Sequence, residues 1–376
     1  MRTGLSSLLD QRKQYVSSKK SPEKFLQDHK KILKKIKIGT SFSPEHVEEL
    51  FAQEGKGVSQ EMVMNVLRYA VEVLHMKEVR LGIRWNMVDN GKRINISYYK
   101  PFLEYCFKHK INICLNVGPI KTFRWPEQYV PKYILSEKNK LPKKSEIIES
   151  DSFLAKKAYT YLEKLLRTLV ASYSPAQLHY ITSIQPENEP LHKFGIYEWI
   201  MSDEYLQTIT EIILKYFPRR EIILSSSETR NAGQVMSLFE KMDLKKGQAV
   251  CGINYYFKVP RTKTLPFIGP LDYMLYSHVR SKNPFAEEIK KMHQKGIGVE
   301  VVEGQAEIWD PILSPGNDYK EFQYLLLRCA ENILFSHGDF LIRMWGIERL
   351  AKNFLTHTET QDHRYIQSLI QTLNDQ

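Results

Sequence analysis

Cysteine is scarce. The four cysteines among 376 residues, Cys106, Cys114, Cys251 and Cys329, form no C-x-x-C pair. That scatter excludes a zinc ribbon and a disulfide framework, and free thiols fit a reducing compartment. No uninterrupted apolar run approaches the roughly 20 residues needed to span a bilayer. The first residues hold no apolar stretch between a basic segment and a small-residue cleavage site, as a secretory signal would, so a cytoplasmic location is expected. Internal repeats and low-complexity tracts are lacking too. No group of His, Asp and Glu has metal-ligand spacing, so the expected chemistry needs neither metal nor cofactor.

What is present is an ordinary globular composition, 42% hydrophobic and 26% charged. The net charge of +11 raises the question of nucleic acid. Its distribution answers it: residues 1–37 hold 11 Lys/Arg against 3 Asp/Glu, so the remainder carries only +3 and no basic stripe. The basic segment reads as a solvated helix surface, with no nucleic-acid or membrane partner. Residues 22–36 predict a short amphipathic helix, and residues 1–35 an extension preceding a domain that spans 36–376.

From residue 36 onward, short β-branched runs alternate with longer 3.6-period segments. The strand candidates are 36–41, 78–85, 111–118, 179–186, 221–227, 249–256, 298–303 and 339–345. Helical patterns cover 58–76, 95–109, 152–173, 203–217, 232–242, 283–295, 318–336 and 361–374. Strict alternation implies βαβ units and a parallel sheet. Eight units imply closure, an α/β fold of the (β/α)₈ TIM-barrel class with a short N-terminal helical extension. An open doubly wound sheet would want a glycine-rich turn after its first strand, and none is there. Long connections follow the third and sixth strands, on the face where barrel enzymes carry their sites. The charged stretch 136–150 (SEKNKLPKKSEIIES) is either a flap or a solvated insertion.

The strand ends are rich in particular side chains. Trp85, Trp125, Trp199, Trp309 and Trp345 all fall at a strand end or within about a dozen residues after one. Flat aromatic faces on a polar rim suit the C–H faces of sugar rings; the alternative is plain packing. Glu189 follows the fourth strand and Glu303 ends the seventh. In a barrel of eight, those strands approach each other across the mouth. Two facing carboxyl groups there can cleave a glycosidic bond, one protonated to assist the leaving group and one ionised to attack. Their mutual repulsion would separate their pKa values.

These positions resemble the large clan of retaining glycoside hydrolases built on (β/α)₈ barrels, over almost the whole chain after residue 36. The most specific element is Asn188-Glu189-Pro190. The resemblance implies that Glu189 is the acid/base, that Glu303 is the nucleophile, and that Asn188 holds the sugar 2-OH. It implies that Arg84 keeps the nucleophile ionised, that Tyr256 hydrogen-bonds it, and that Trp345 forms an aromatic floor beneath the sugar. Two departures stand out. Asn254 replaces a histidine common two residues before the tyrosine, and the nucleophile motif reads Val302-Glu303-Gly304.

Glu307, in QAEIW, is a second acid on the same loop as Trp309. Glu303 is preferred as nucleophile because it closes the apolar run 299–302, where Gly304 would let the chain turn away. Lys121, Arg124, Trp125 and Glu127 sit on the third βα loop, where they are candidates to contact sugar hydroxyls; the alternative is that Arg124 and Glu127 only brace the loop. Arg80 and Arg343 share strand parity with Arg84 and Trp345, so they point inward and predict a structural charge network. His192 and His278 lie near the rim.

The expected activity is a β-glycoside hydrolase working by double displacement on a carbohydrate substrate. Transglycosylation by the same residues and a lapsed, carbohydrate-binding barrel are the alternatives. A barrel acting on a phosphorylated metabolite is disfavoured by the acidic, aromatic ends of the last two strands.

Overall fold

A computed structural model gives the architecture. It describes residues 24, 27–28, 33–53, 55, 57–124, 126–226, 229–255, 258–265, 269–276, 286–305, 322–323, 326 and 340–375. Most of the N-terminal extension, the end of the sixth βα connection and most of the seventh therefore lie outside the described residues.

Twelve strands are described: β1 Ile36–Phe42, β2 Glu78–Gly82, β3 Asn112–Asn116, β4 Ile147–Ile148, β5 Ile181–Gln185 and β6 Ile200–Met201. They continue with β7 Glu221–Ser226, β8 Ala249–Tyr255, β9 Lys258–Leu265, β10 Gly269–Tyr276, β11 Gly298–Gln305 and β12 Phe340–Trp345. Eight of them close into a parallel barrel in the order β1-β12-β11-β8-β7-β5-β3-β2. All eight expected strands are present. The fold is a (β/α)₈ barrel.

Helices pack around the outside because their apolar stripes have only the barrel to bury against. Phe153–Ser172 presents Leu154, Ala158, Leu162, Leu165 and Leu169 to the core, and Ser152 caps its first turn by accepting from the Ala155 amide. The expected helix at 58–76 is Gln60–Arg68 continued by a π-helical turn, Tyr69–Val73. Pro44–Ala52 and Ile347–Leu355 are helices that periodicity alone did not predict.

The long connections are not plain loops. After β8 the chain forms the antiparallel hairpin β9–β10. The charged stretch 136–150 is pinned where β4 pairs with β6 and where the Trp199 indole donates to the carbonyls of Pro142 (3.2 Å) and Lys143 (3.1 Å).

Most of the core lies between barrel and helices. Inside the barrel a small apolar cluster, Cys114, Ile223, Val250 and Val302, separates two polar layers. In the lower layer Arg343 pairs with Glu300, and Asn112 donates to Glu78. The upper layer opens at the C-terminal mouth.

Candidate active site

Glu303 reaches the mouth through an irregularity in β11. Successive strand residues face opposite sides, so a regular strand with Val302 inward would turn Glu303 outward. The register against β8 slips between Val301 and Glu303, however, and the slip against β12 spans the same residues. A bulge of this kind lets neighbouring residues face one side. Val302 fills the barrel interior, and Glu303, 3% exposed, accepts from the Arg80 guanidinium at 2.8 Å. β11 does not end there: Gly304 stays in the sheet, paired with Tyr255 and Met344, so the turn expected at Gly304 is absent.

Glu189 stands four residues past β5, in a backbone conformation with φ 41° that L side chains rarely adopt. Three neighbours fix it. Its amide donates to Ser225 Oγ at 2.8 Å, Lys121 Nζ donates to its carbonyl at 3.1 Å, and Asn254 Nδ2 donates to its Oε1 at 2.6 Å. Asn254 thus occupies the position where a histidine was the commoner expectation, directly against the carboxylate.

Arg80 links the two halves. Its Nη1 donates to Glu303, its Nη2 to Asn188 Oδ1 at 2.7 Å, and its Nε to Gln185 Oε1 at 2.7 Å. The expectation for Arg84 is corrected here. Arg84 lies beyond the end of β2, pairs with Glu45 at 3.7 Å, donates to Ser43 Oγ, and stacks over Tyr129 at 4.0 Å. The reason is depth. Both arginines share parity, but at roughly 3.3 Å per residue four positions separate them by about 13 Å. Glu303 lies within its strand, so the arginine within β2 meets it. Both interior arginines lie in buried charge networks, as expected: Arg343 with Glu300, and Arg80 with Glu303, Asn188 and Gln185.

The third βα loop contributes more than its sequence suggested. Lys121 is fully buried and bound to backbone carbonyls. Arg124 pairs with Glu348 and lies 3.8 Å over the Trp345 ring, which Phe123 meets edge-on at 6.1 Å. Phe123 in turn lies under Arg80, 4.3 Å from its guanidinium carbon.

Glu127, with φ 66°, is turned inward, and its Oε2 is buried with no hydrogen-bond partner. Burial pushes its carboxyl well above the usual range; Glu189 and Glu303 add to this, while Lys121 and Arg80 oppose it. Burial also raises Glu187, to about 8, against the pull of donors from Tyr205, Lys121 and Ile120. Gly118 permits this packing, since a Cβ there would lie 2.2 Å from the Lys121 carbonyl oxygen.

The tryptophans divide. Trp85 is fully buried, stacked on Tyr161 and donating to Asp89 at 2.9 Å. Trp199 is buried against Tyr197. These two pack rather than line the mouth. Trp345 ends β12 at the mouth, 7% exposed. Trp125, Tyr256, Glu307, Trp309, His278 and Cys329 lie outside the described residues. Among the described residues, no group of three His, Cys, Asp or Glu is placed to hold a metal ion. Sequence reasoning named Arg80 only as part of a charge network, Asn254 only as a departure from histidine and Lys121 only as a contact to sugar hydroxyls, and it did not name Phe123. For Arg80 the missing signal was the depth of Glu303 across the bulge.

Fold and mouth together define the class: a closed (β/α)₈ barrel with acidic groups just past its fourth strand and within the last residues of its seventh. No family model matches the sequence, and no curated protein matches it. Solved structures do. The chain is similar to the intracellular xylanase of Thermoanaerobacterium saccharolyticum in complex with xylotriose (TM-score 0.51, 12% identity, 83% of this chain and 86% of that one). It is similar to a broad-specificity endoglucanase from Clostridium longisporum (0.56, 13%, 95% and 99%). A third similar structure is an exo-β-1,4-mannosidase from an Opitutaceae bacterium, strain TAV5 (0.56, 13%, 90% of this chain and 60% of that one). These neighbours are glycoside hydrolases, and the fold is theirs.

Proposed function

We propose that the protein is a retaining β-glycoside hydrolase in which Glu303 is the nucleophile and Glu189 the acid/base. The observation that carries this reading is the different company the two carboxyls keep. Glu303 takes a charged donor from Arg80 at 2.8 Å. Glu189 takes a neutral amide donor from Asn254 at 2.6 Å. Asn254 Oδ1 is buried with no partner. By turning its amide, Asn254 can donate to the carboxylate or accept from the carboxylic acid, so it serves both protonation states that an acid/base must visit.

In the first step Glu303 attacks the anomeric carbon while Glu189 protonates the leaving oxygen. Glu189 then deprotonates the water that releases the sugar from Glu303. Asn188 fits the role at the sugar 2-OH: its Oδ1 is held by Arg80, and its Nδ2 is buried without a partner, free to donate. Trp345 would lie beneath the sugar, with Tyr256, Trp125, Trp309 and Glu307 as further contacts. No cofactor enters these steps, and the substrate is a neutral β-linked carbohydrate. We place the enzyme in the cytoplasm because its described cysteines, Cys106, Cys114 and Cys251, are free thiols.

A panel of chromogenic β-glycosides and β-glucans, xylans and mannans tests the reading. Turnover of at least one substrate is expected, with NMR of the first-formed product showing retained anomeric configuration. An inverted product would refute the mechanism, and transfer to an added sugar acceptor in preference to water would make it a transglycosylase.

A further inference from the structure

Lys121 is completely buried, an expensive place for an ammonium group. Burial lowers its pKa, while Glu127, Glu189 and Glu187 work to keep it charged. It is held by what it ties together. Its Nζ donates to the carbonyl of Glu189 at 3.1 Å and to that of His192 at 2.7 Å. Its own backbone joins the same turn from the other side. The Asn188 amide donates to the Lys121 carbonyl at 2.9 Å, and the Lys121 amide donates to Glu187 Oε2 at 2.5 Å. Tyr205 donates to the other Glu187 oxygen at 2.6 Å. One residue of the third loop therefore bonds to residues 187, 188, 189 and 192 of the fourth, and the turn so gripped contains Glu189 in a left-handed conformation. Strain of that kind persists only where the surroundings over-determine it.

We propose that Lys121 is a positioning residue for Glu189. Its ammonium group clamps the carbonyls on both sides of the turn and so holds the Glu189 carboxyl against Asn254 at the barrel mouth. This rests on the reading of Glu189 as the acid/base. Lys121 touches no reacting atom; it acts through the geometry of the acid.

Lys121→Met keeps the length of the side chain and removes the clamp. Misplacing a catalytic group by about an ångström costs on the order of 10²-fold. The loss should be of that order in kcat/KM on an alkyl β-glycoside, which needs protonation, and much smaller on a 2,4-dinitrophenyl β-glycoside, which does not. The kcat/KM pH profile should also move. Glu189 interacts with the charges of Lys121 and Glu127, and these two also feel Glu187, Glu303 and Arg80; losing the Lys121 charge removes an attraction on the Glu189 carboxylate, so the alkaline limb shifts to higher pH.

Because Lys121→Met removes a buried group, Tyr205→Phe serves as the gentler variant. It loosens only the Glu187 end of the same chain of bonds and should show a smaller loss with the same dependence on leaving group. A crystal structure of either variant should show Glu189 out of its left-handed conformation or parted from Asn254. Equal losses on both substrates, or a variant structure with Glu189 unmoved, would overturn the proposal. If the wild type turns over neither glycoside, the reading of Glu189 as acid falls, and the variant structures still decide the clamp.

Discussion

The barrel interior holds two arginine–glutamate pairs, separated by one apolar layer. In the lower pair Arg343 meets Glu300, both buried within the strands. In the upper pair Arg80 meets Glu303, and the same guanidinium also holds Asn188 and Gln185. The chemistry is alike and the consequences differ. The lower pair is enclosed by the barrel floor, with Glu78 and Asn112 beside it. The upper pair connects a strand carboxylate to the turn that carries Glu189. A buried charge pair is weak evidence of function by itself; what separates these two is whether the partners reach the open end of the barrel.

Mutation should separate them further. The largest effect belongs to Glu303→Gln, which removes the proposed nucleophile and should abolish measurable turnover while far-UV circular dichroism stays native. Glu189→Gln should follow, losing about 10²–10⁴-fold on substrates with poor leaving groups and far less on activated aryl glycosides. A loss equal on both would show that Glu189 is not the acid.

Next come the arginines themselves. Breaking a buried pair by removing one partner costs about 3–5 kcal/mol, so Arg343→Met should lower the denaturation midpoint strongly and leave activity per folded molecule near wild type. Arg80→Met should cost activity per folded molecule as well as stability. Similar activity losses in both variants would erase the distinction drawn here.

Trp345→Ala should impair turnover more than folding. It removes a ring at the mouth between Phe123 and Arg124 rather than one in the central core. A collapse in midpoint with unchanged specific activity would make Trp345 a packing residue.

The smallest expected effect concerns Glu187. Its folded pKa, about 8, lies above the ordinary carboxylate value. Between roughly pH 4.5 and 8 the unfolded chain therefore binds fewer protons at this group than the folded chain. Its contribution is most favourable below that window and is lost progressively as pH rises through it. Glu187→Gln removes this dependence. The wild type should lose stability relative to the variant from pH 4.5 to 8, measurable as a difference in urea midpoints. A flat difference would mean that Glu187 is ionised in the native state.

All eight strands were legible in the sequence because each is a β-branched run bounded by helical periodicity. Glu189 and Glu303 could be proposed as a pair from sequence because each stands just after or at the close of an apolar run. The partner of Glu303 was not legible. Parity placed Arg80 and Arg84 on one face, and only the depth of Glu303 within β11 selects between them. That depth depends on the bulge at Val302, which a plain alternation of apolar residues does not reveal. Lys121 was illegible for a related reason. The sequence offered it as a contact to sugar hydroxyls, and only the approach of the fourth loop, permitted at Gly118, buries it.

The central claim is that Glu303 forms the covalent bond to the sugar. The most direct measurement is to incubate the enzyme with a 2-deoxy-2-fluoro β-glycoside of a sugar it hydrolyses, digest it, and map the labelled carboxylate by mass spectrometry. A single label on Glu303, absent from Glu303→Gln, is expected. A label on Glu307 would contradict it.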